Sequence, residues 1–145
     1  EAEAAAQQAL EEVVSNLNFA NHPNAVFANP CAGANTICFD TTGDGIADIT
    51  VTIKSRNDAT KPSCIMARGI KNAALDMTND YDAGCSSSAV QLFGLAGAVT
   101  GDSLCADSLW DIQAEAVDNV SRAKATVTEG ISVRVSTDAV LTSCP

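Results

Sequence analysis

The best candidates for metal ligands in this sequence lie in an acidic loop at residues 40–48 (Asp-Thr-Thr-Gly-Asp-Gly-Ile-Ala-Asp). Oxygen-bearing residues at alternate positions around a glycine turn are typical of EF-hand-like calcium loops. The spacing predicts a structural Ca²⁺ whose oxygen ligands come from Asp40, Thr42, Asp44, the Ile46 carbonyl and Asp48. A plain Asp-Gly turn that enters a strand is the alternative interpretation.

One ligand of the predicted calcium site is missing from the loop itself. Val51 stands at the twelfth position, where an EF-hand loop has a bidentate Glu. A second acidic segment contains Asp76, Asp80 and Asp82, and it is a candidate source of the missing carboxylate.

The six cysteines contain no CxxC pair, and their even number favours three disulfides over a zinc or redox site. They are Cys31, Cys38, Cys64, Cys85, Cys105 and Cys144. Cys31 and Cys38 bound a short loop, so we predict that they pair, and we also predict a bridge between Cys85 and Cys105. Reduced structural thiols are the alternative. Disulfides would place the protein in an oxidising compartment, a periplasm or the cell exterior.

Nothing in the sequence predicts an enzyme. His22 is the single histidine, beside Pro23, and it has no partner set for a catalytic triad or a zinc site. We interpret it as a loop residue. The chain has 18 acidic against 8 basic side chains, which disfavours nucleic-acid binding because that affinity comes largely from Lys and Arg neutralising phosphates.

The elements that must position these residues are one helix and several strands. Residues 1–17 are rich in Ala, Gln, Glu and Leu, which are strong helix formers. A stripe of Leu10, Val13, Val14 and Leu17 gives this helix one apolar face. Hydrophobic alternation predicts strands at 48–54, 110–116 and 127–135, and a weaker pattern predicts one at 64–70. We expect the helix to pack on Ile49, Val51, Trp110, Ile112, Ile131 and Val133.

The predicted fold class is therefore α+β, with the N-terminal helix on one face of a three- to four-stranded antiparallel sheet and long disulfide-tied loops. The last two strands should form a hairpin with its turn near 118–122. In the alternation of the last strand, Glu129 occupies a position that should face the apolar side of the sheet. We therefore expect a bulge or a register shift at Glu129–Gly130. We expect irregular chain at 21–44 and over most of 76–107.

The order of these features resembles the soluble domain of type IV pilin-like proteins, in particular PilX-type minor pilins of Gram-negative bacteria. The resemblance rests on the helix AAQQALEEVVSNLNF, the cysteine-bounded loop that follows, the stretches GAVTGDSLC at 97–105 and SLWDIQAEAVD at 108–118, and Cys144 near the C-terminus. It implies one pilin-like domain over 1–145, in which 1–19 is the C-terminal half of a truncated pilin helix and 20–145 forms the sheet and loops.

The resemblance also implies a function and partners. The implied function is that of a non-enzymatic structural subunit of a type IV pilus or related extracellular filament, which contributes to pilus assembly, adhesion or motility. Its partners would be other pilin subunits, contacted through the N-terminal helix, and a pilus-tip adhesin. A full-length form would be anchored in the inner membrane, facing the periplasm, before assembly. The alternative is a secreted calcium-stabilised module that recognises a protein or carbohydrate through residues 76–107.

Overall fold

A computed structural model describes residues 1–86 and 101–144, and in it the N-terminal helix α1, Ala2–Ser15, lies across one face of an antiparallel sheet. Leu10 and Val13 of the predicted apolar stripe are buried, whereas Val14 is only half-buried. Leu17 follows the helix, in a 3-10 turn at Leu17–Ala20. Alanines complete the buried face, and their small side chains allow the helix axis to approach the sheet closely. The buried residues of α1 are Ala5, Ala6, Ala9, Leu10 and Val13.

The sheet has five strands, which confirms the predicted α+β class with one or two strands more than expected. The strands are β1, Thr36–Phe39; β2, Ile49–Lys54; β3, Ser63–Lys71; β4, Asp102–Asp118; and β5, Lys124–Ser136. β4 organises the sheet because one of its edges pairs with β2 and β3 in tandem, while the other edge pairs with β5. β1 extends the sheet beyond β2.

The core lies between α1 and the inner face of the sheet. Trp110 is 1% exposed, and its ring packs edge-on against Phe19 with 5.3 Å between ring centroids. Its indole Nε1–H donates to Ser108 Oγ at 2.8 Å, and the Ser108 hydroxyl donates to the Val133 carbonyl. The predicted helix-facing residues of the sheet are buried, except that Ile131 is only partly buried.

Three sequence-based expectations are corrected by the strands. Residues 36–39 form β1 inside the predicted 21–44 loop, and β4 begins at Asp102 inside the predicted irregular segment. The inner positions Ala106 and Ser108 are small or polar, so the hydrophobic alternation is weak there. The predicted hairpin forms, but β5 has no bulge at Glu129–Gly130. Because β5 lies at the rim of the sheet, Glu129 is exposed without a register shift.

Two short helices complete the described chain. α2, Asp80–Gly84, begins where the Asn79 side chain accepts the Tyr81 N–H, and α3, Thr137–Ser143, begins where the Ser136 hydroxyl accepts the Ala139 N–H. Such side-chain caps satisfy N–H groups that have no partner within a helix. Neither helix was expected from the sequence, since both are too short to show an apolar period.

All six cysteines form disulfides, and both predicted pairs, Cys31–Cys38 and Cys85–Cys105, are present. The third bridge joins Cys64 at the start of β3 to Cys144 at the end of α3. Disulfides persist in oxidising compartments, so they indicate a periplasmic or extracellular environment for this protein. In the part of the chain that is described, no helix is long and apolar enough to cross a membrane.

Candidate functional site

The acidic loop 40–48 connects β1 to β2 and lies beside the turn between β4 and β5. The Asp48 N–H donates to the Phe39 carbonyl at 2.9 Å and closes the base of the loop. Asn119, in the turn, donates its backbone N–H to the Asp48 carbonyl at 2.8 Å and its side-chain amide to the Ala47 carbonyl at 2.9 Å. The loop is therefore fixed at both its base and its flank.

Asp40 organises the first half of the loop. Its carboxylate accepts the backbone N–H of Gly43 at 2.6 Å and that of Gly45 at 2.7 Å. Both glycines have positive φ, 78° and 85°, a backbone conformation that favours glycine. These bonds, with that from Gly45 the strongest, hold the pKa of Asp40 below its usual value because they stabilise the charged form.

Asp48, at the end of the loop, bonds back to the two residues that follow Asp40. Its Oδ2 accepts the Thr41 hydroxyl at 2.8 Å and the backbone N–H groups of Thr41 and Thr42 at 2.7 and 2.9 Å. The Thr41 hydroxyl contributes most to a pKa of Asp48 that also lies below its usual value. Asp44 accepts the Ile46 N–H at 2.9 Å, and the Thr42 hydroxyl donates to Asp40 at 3.4 Å.

The predicted metal ligands thus share one loop, but the carboxylates of Asp40, Asp44 and Asp48 accept hydrogen bonds from backbone N–H groups. In residues 1–86 and 101–144 no group of three or more His, Cys, Asp or Glu side chains is arranged to hold a metal ion. Val51, at the twelfth position, has an apolar side chain without oxygen and is fully buried in β2, so its side chain supplies no ligand.

The second acidic segment does not approach this loop, which corrects its suggested role as a source of the missing ligand. Asp82 in α2 forms an ion pair with Arg134, which pairs with Asp107 at 3.4 Å on β4. Loop 40–48 meets β4 at its opposite end, since Ile49 pairs with Asp118. Strands rise about 3.3 Å per residue, so roughly 35 Å of β4 separates the two acidic regions.

Asp118 is the acidic residue that sequence reasoning missed. It ends β4, and its Oδ1 accepts the N–H groups of Val120 and Ser121, both at 2.9 Å. These bonds lower the pKa of Asp118, chiefly through Ser121, whereas the neighbouring charge of Asp48 raises it. The signal available in the sequence was an Asp at the start of the predicted hairpin turn, but only the pairing of β2 with β4 puts it beside Asp48.

The remaining candidates of the sequence lie elsewhere. His22 is exposed in a turn, where its N–H donates to Phe19 and its carbonyl accepts from Ala25. Of the 76–107 segment assigned to the binding-module alternative, residues 87–100 lie outside the described part of the chain.

Comparison of the chain with protein-family models, with curated proteins and with solved structures finds no match. The fold, the disulfides and the acidic loop are therefore the observations on which a function must rest.

Proposed function

We propose that this protein is a structural, non-enzymatic subunit of a type IV pilus or related extracellular filament, a minor pilin that contributes to assembly, adhesion or motility. The observation that carries the proposal is the position of α1, whose alanine-rich face packs on an antiparallel sheet while its opposite face is exposed. This is the arrangement that the pilin resemblance predicts. Three disulfides suit a subunit that works outside the cell.

The exposed face of α1 is the surface that we assign to neighbouring pilin subunits. Its residues are polar or small. A pilus-tip adhesin is a further candidate partner. The exposed residues of α1 are Glu3, Ala4, Gln7, Gln8, Glu11, Glu12 and Ser15.

The test is to locate the protein in its source organism and to perturb the exposed face of α1. We expect the full-length protein in purified surface filaments, and fewer filaments after deletion of its gene. Gln8→Trp should lower its incorporation, because a large side chain would block close packing. Val120→Trp is the matched control, since Val120 is 86% exposed in the β4–β5 turn and is not part of α1. Recovery of the protein only as a free secreted species, with filament number unchanged, would favour the binding-module alternative.

A structural Ca²⁺ in loop 40–48 is part of the proposal. What supports it is the series of oxygen-bearing residues around the Gly43 and Gly45 turns. We expect a higher Tm in excess calcium than in chelator, because an ion that binds only the folded state stabilises it by mass action. Asp44→Asn should reduce this difference, and Asp138→Asn, at an exposed position of α3, should not. Equal Tm values for the unsubstituted protein in calcium and in chelator would exclude the site.

A further inference from the structure

Among the residues that the structure describes, the outer edge of β5 is unpaired. Within residues 1–86 and 101–144, β5 pairs only with β4. The hydrogen bond that closes the hairpin runs from Asp118 N–H to the Ala123 carbonyl at 2.9 Å. Because bonded pairs alternate along an antiparallel ladder, the odd-numbered residues of β5 bond to β4. The even-numbered residues therefore direct N–H and C=O groups away from the sheet: Lys124, Thr126, Thr128, Gly130, Ser132 and Arg134.

This edge is unusually regular. β5 stays in register with β4 from Lys124 to Ser136, and it contains neither a bulge nor a proline. Proteins commonly protect a long edge strand with a bulge, a proline or an inward-pointing charge. Of these devices β5 has one, Glu129, which lies on the helix side of the sheet.

A groove of 330 Å³ follows the helix side of this edge, between α1 and β5. Two acidic residues, Glu11 and Glu129, line it, and neither forms an ion pair within the described residues. Val127 and Ile131 are only partly buried beside them. The lining of the groove is Gln7, Leu10, Glu11, Val127, Thr128 and Glu129.

The charges of Glu11 and Glu129 favour some binding partners at the β5 edge over others. A second copy that pairs β5 with β5 about a two-fold axis would bring Glu11 and Glu129 of both copies toward one another. The two chains, each with a formal charge of -10, would also repel over longer range. A strand with a basic side chain on its helix side would instead neutralise the two carboxylates.

We propose that the β5 edge binds an extended, basic segment of a protein partner by strand addition. The main chain of the segment pairs with the even-numbered residues of β5, as in other complexes where a peptide extends a sheet. Its apolar side chains cover Val127 and Ile131, and a Lys or Arg enters the groove between Glu11 and Glu129. The proposal does not depend on the filament role, because any extracellular protein can present such a segment.

The probe for this proposal is a synthetic peptide, acetyl-Thr-Val-Thr-Lys-Thr-Val-Thr-amide, whose Val and Lys side chains share one face. Binding is measured by titration of amide resonances. We expect saturable shifts along β5, and at least about tenfold weaker binding when Glu replaces Lys. A peptide with N-methylated alternate amides should not bind. Absence of binding by the Lys peptide, or equal affinity of the Lys and Glu peptides, would overturn the proposal.

Two adjacent glutamates of α1 give a matched pair of variants. Glu11 lines the groove and Glu12 does not. Glu11→Lys should therefore lower the affinity for the Lys peptide about tenfold, whereas Glu12→Lys should change that affinity by less than about twofold. Equal effects of the two substitutions would assign the peptide to another surface.

Thr128→Pro tests the edge itself. It removes an outward N–H and no ladder bond to β4, so the fold should persist, as circular dichroism and Trp110 fluorescence would show, while peptide binding is lost. Retained binding would contradict strand addition. Sedimentation of the protein alone should show a monomer, and a dimer that Thr128→Pro disrupts would assign the edge to a second copy instead.

Discussion

The irregular segments before and after β1 are both held by hydrogen bonds between side chains and the backbone. The side chain that forms these bonds is buried in the first segment, whereas those of the second segment are largely exposed. Before β1, the Asn35 side chain accepts the Val26 N–H at 2.9 Å and donates to the Pro23 and Thr60 carbonyls at 2.9 and 3.0 Å. Asn35 is 1% exposed. After β1, the carboxylates of loop 40–48 accept backbone N–H groups in solvent.

The difference shows why each site has its residue type. A buried position favours a neutral side chain because burial of a charge is costly, and an amide offers an acceptor oxygen together with two N–H donors. An exposed loop tolerates a carboxylate, whose charge strengthens the bonds from backbone N–H groups. We therefore expect the first segment to contribute most of the stability and the second to contribute the response to pH and cations.

The largest effect should come from Asn35→Ala. This substitution leaves the buried Val26 N–H and the part-buried carbonyls of Pro23 and Thr60 without their partner, and it places alanine at a positive φ of 59°. We expect a loss of about 3 kcal/mol in the free energy of unfolding, measured by urea denaturation. A loss below about 1 kcal/mol would show that water replaces the amide and would remove the contrast between the segments.

A smaller effect is expected from removal of the Cys31–Cys38 bridge, which spans a sequence separation of 7. Cross-links of short loops restrict the unfolded chain little, so the Cys31→Ser, Cys38→Ser double variant should lose about 2 kcal/mol. The same denaturation measurement applies. A double variant less stable than Asn35→Ala would mean that the disulfide contributes more than the Asn35 amide to the stability of the first segment.

Acid should loosen loop 40–48 selectively. The folded pKa values of Asp40 and Asp48 are depressed, so their contribution to stability is present above the usual carboxyl pKa and is lost as pH falls through the lower folded values. Below about pH 4, the protection factors of the Gly45 and Thr42 amides should fall. That of Val26 should stay constant, because its acceptor Asn35 does not titrate; a parallel fall would indicate global unfolding.

The smallest effect should be that of Asp48→Asn. The variant keeps an acceptor oxygen but loses the charge, so we expect a decrease of a few degrees in Tm at neutral pH. In acid, where the native Asp48 is protonated, the two proteins should melt alike. Asp138→Asn, at an exposed position of α3, is the control. A difference that persists in acid would mean that side-chain geometry, and not charge, holds the loop.

Local sequence patterns predicted much of the fold. The composition of residues 1–17 predicted α1, and the alternations at 110–116 and 127–135 predicted the hairpin. The short spacing of Cys31 and Cys38 predicted their bridge. β1 and the first part of β4 were missed because their side chains lack a strong apolar alternation, and pairing with neighbouring strands stabilises them instead.

The sequence by itself determined the secondary structure with strong periodicity, the even number of cysteines that favoured three disulfides, and the acidic character of loop 40–48. The tertiary structure decided which charges meet. Pairing of β2 with β4 places Asp118 beside Asp48 and leaves Asp82 at the far end of β4, bound to Arg134. Burial of Asn35 and exposure of the β5 edge were decided in the same way, because long-range strand pairing has no signature in neighbouring residues.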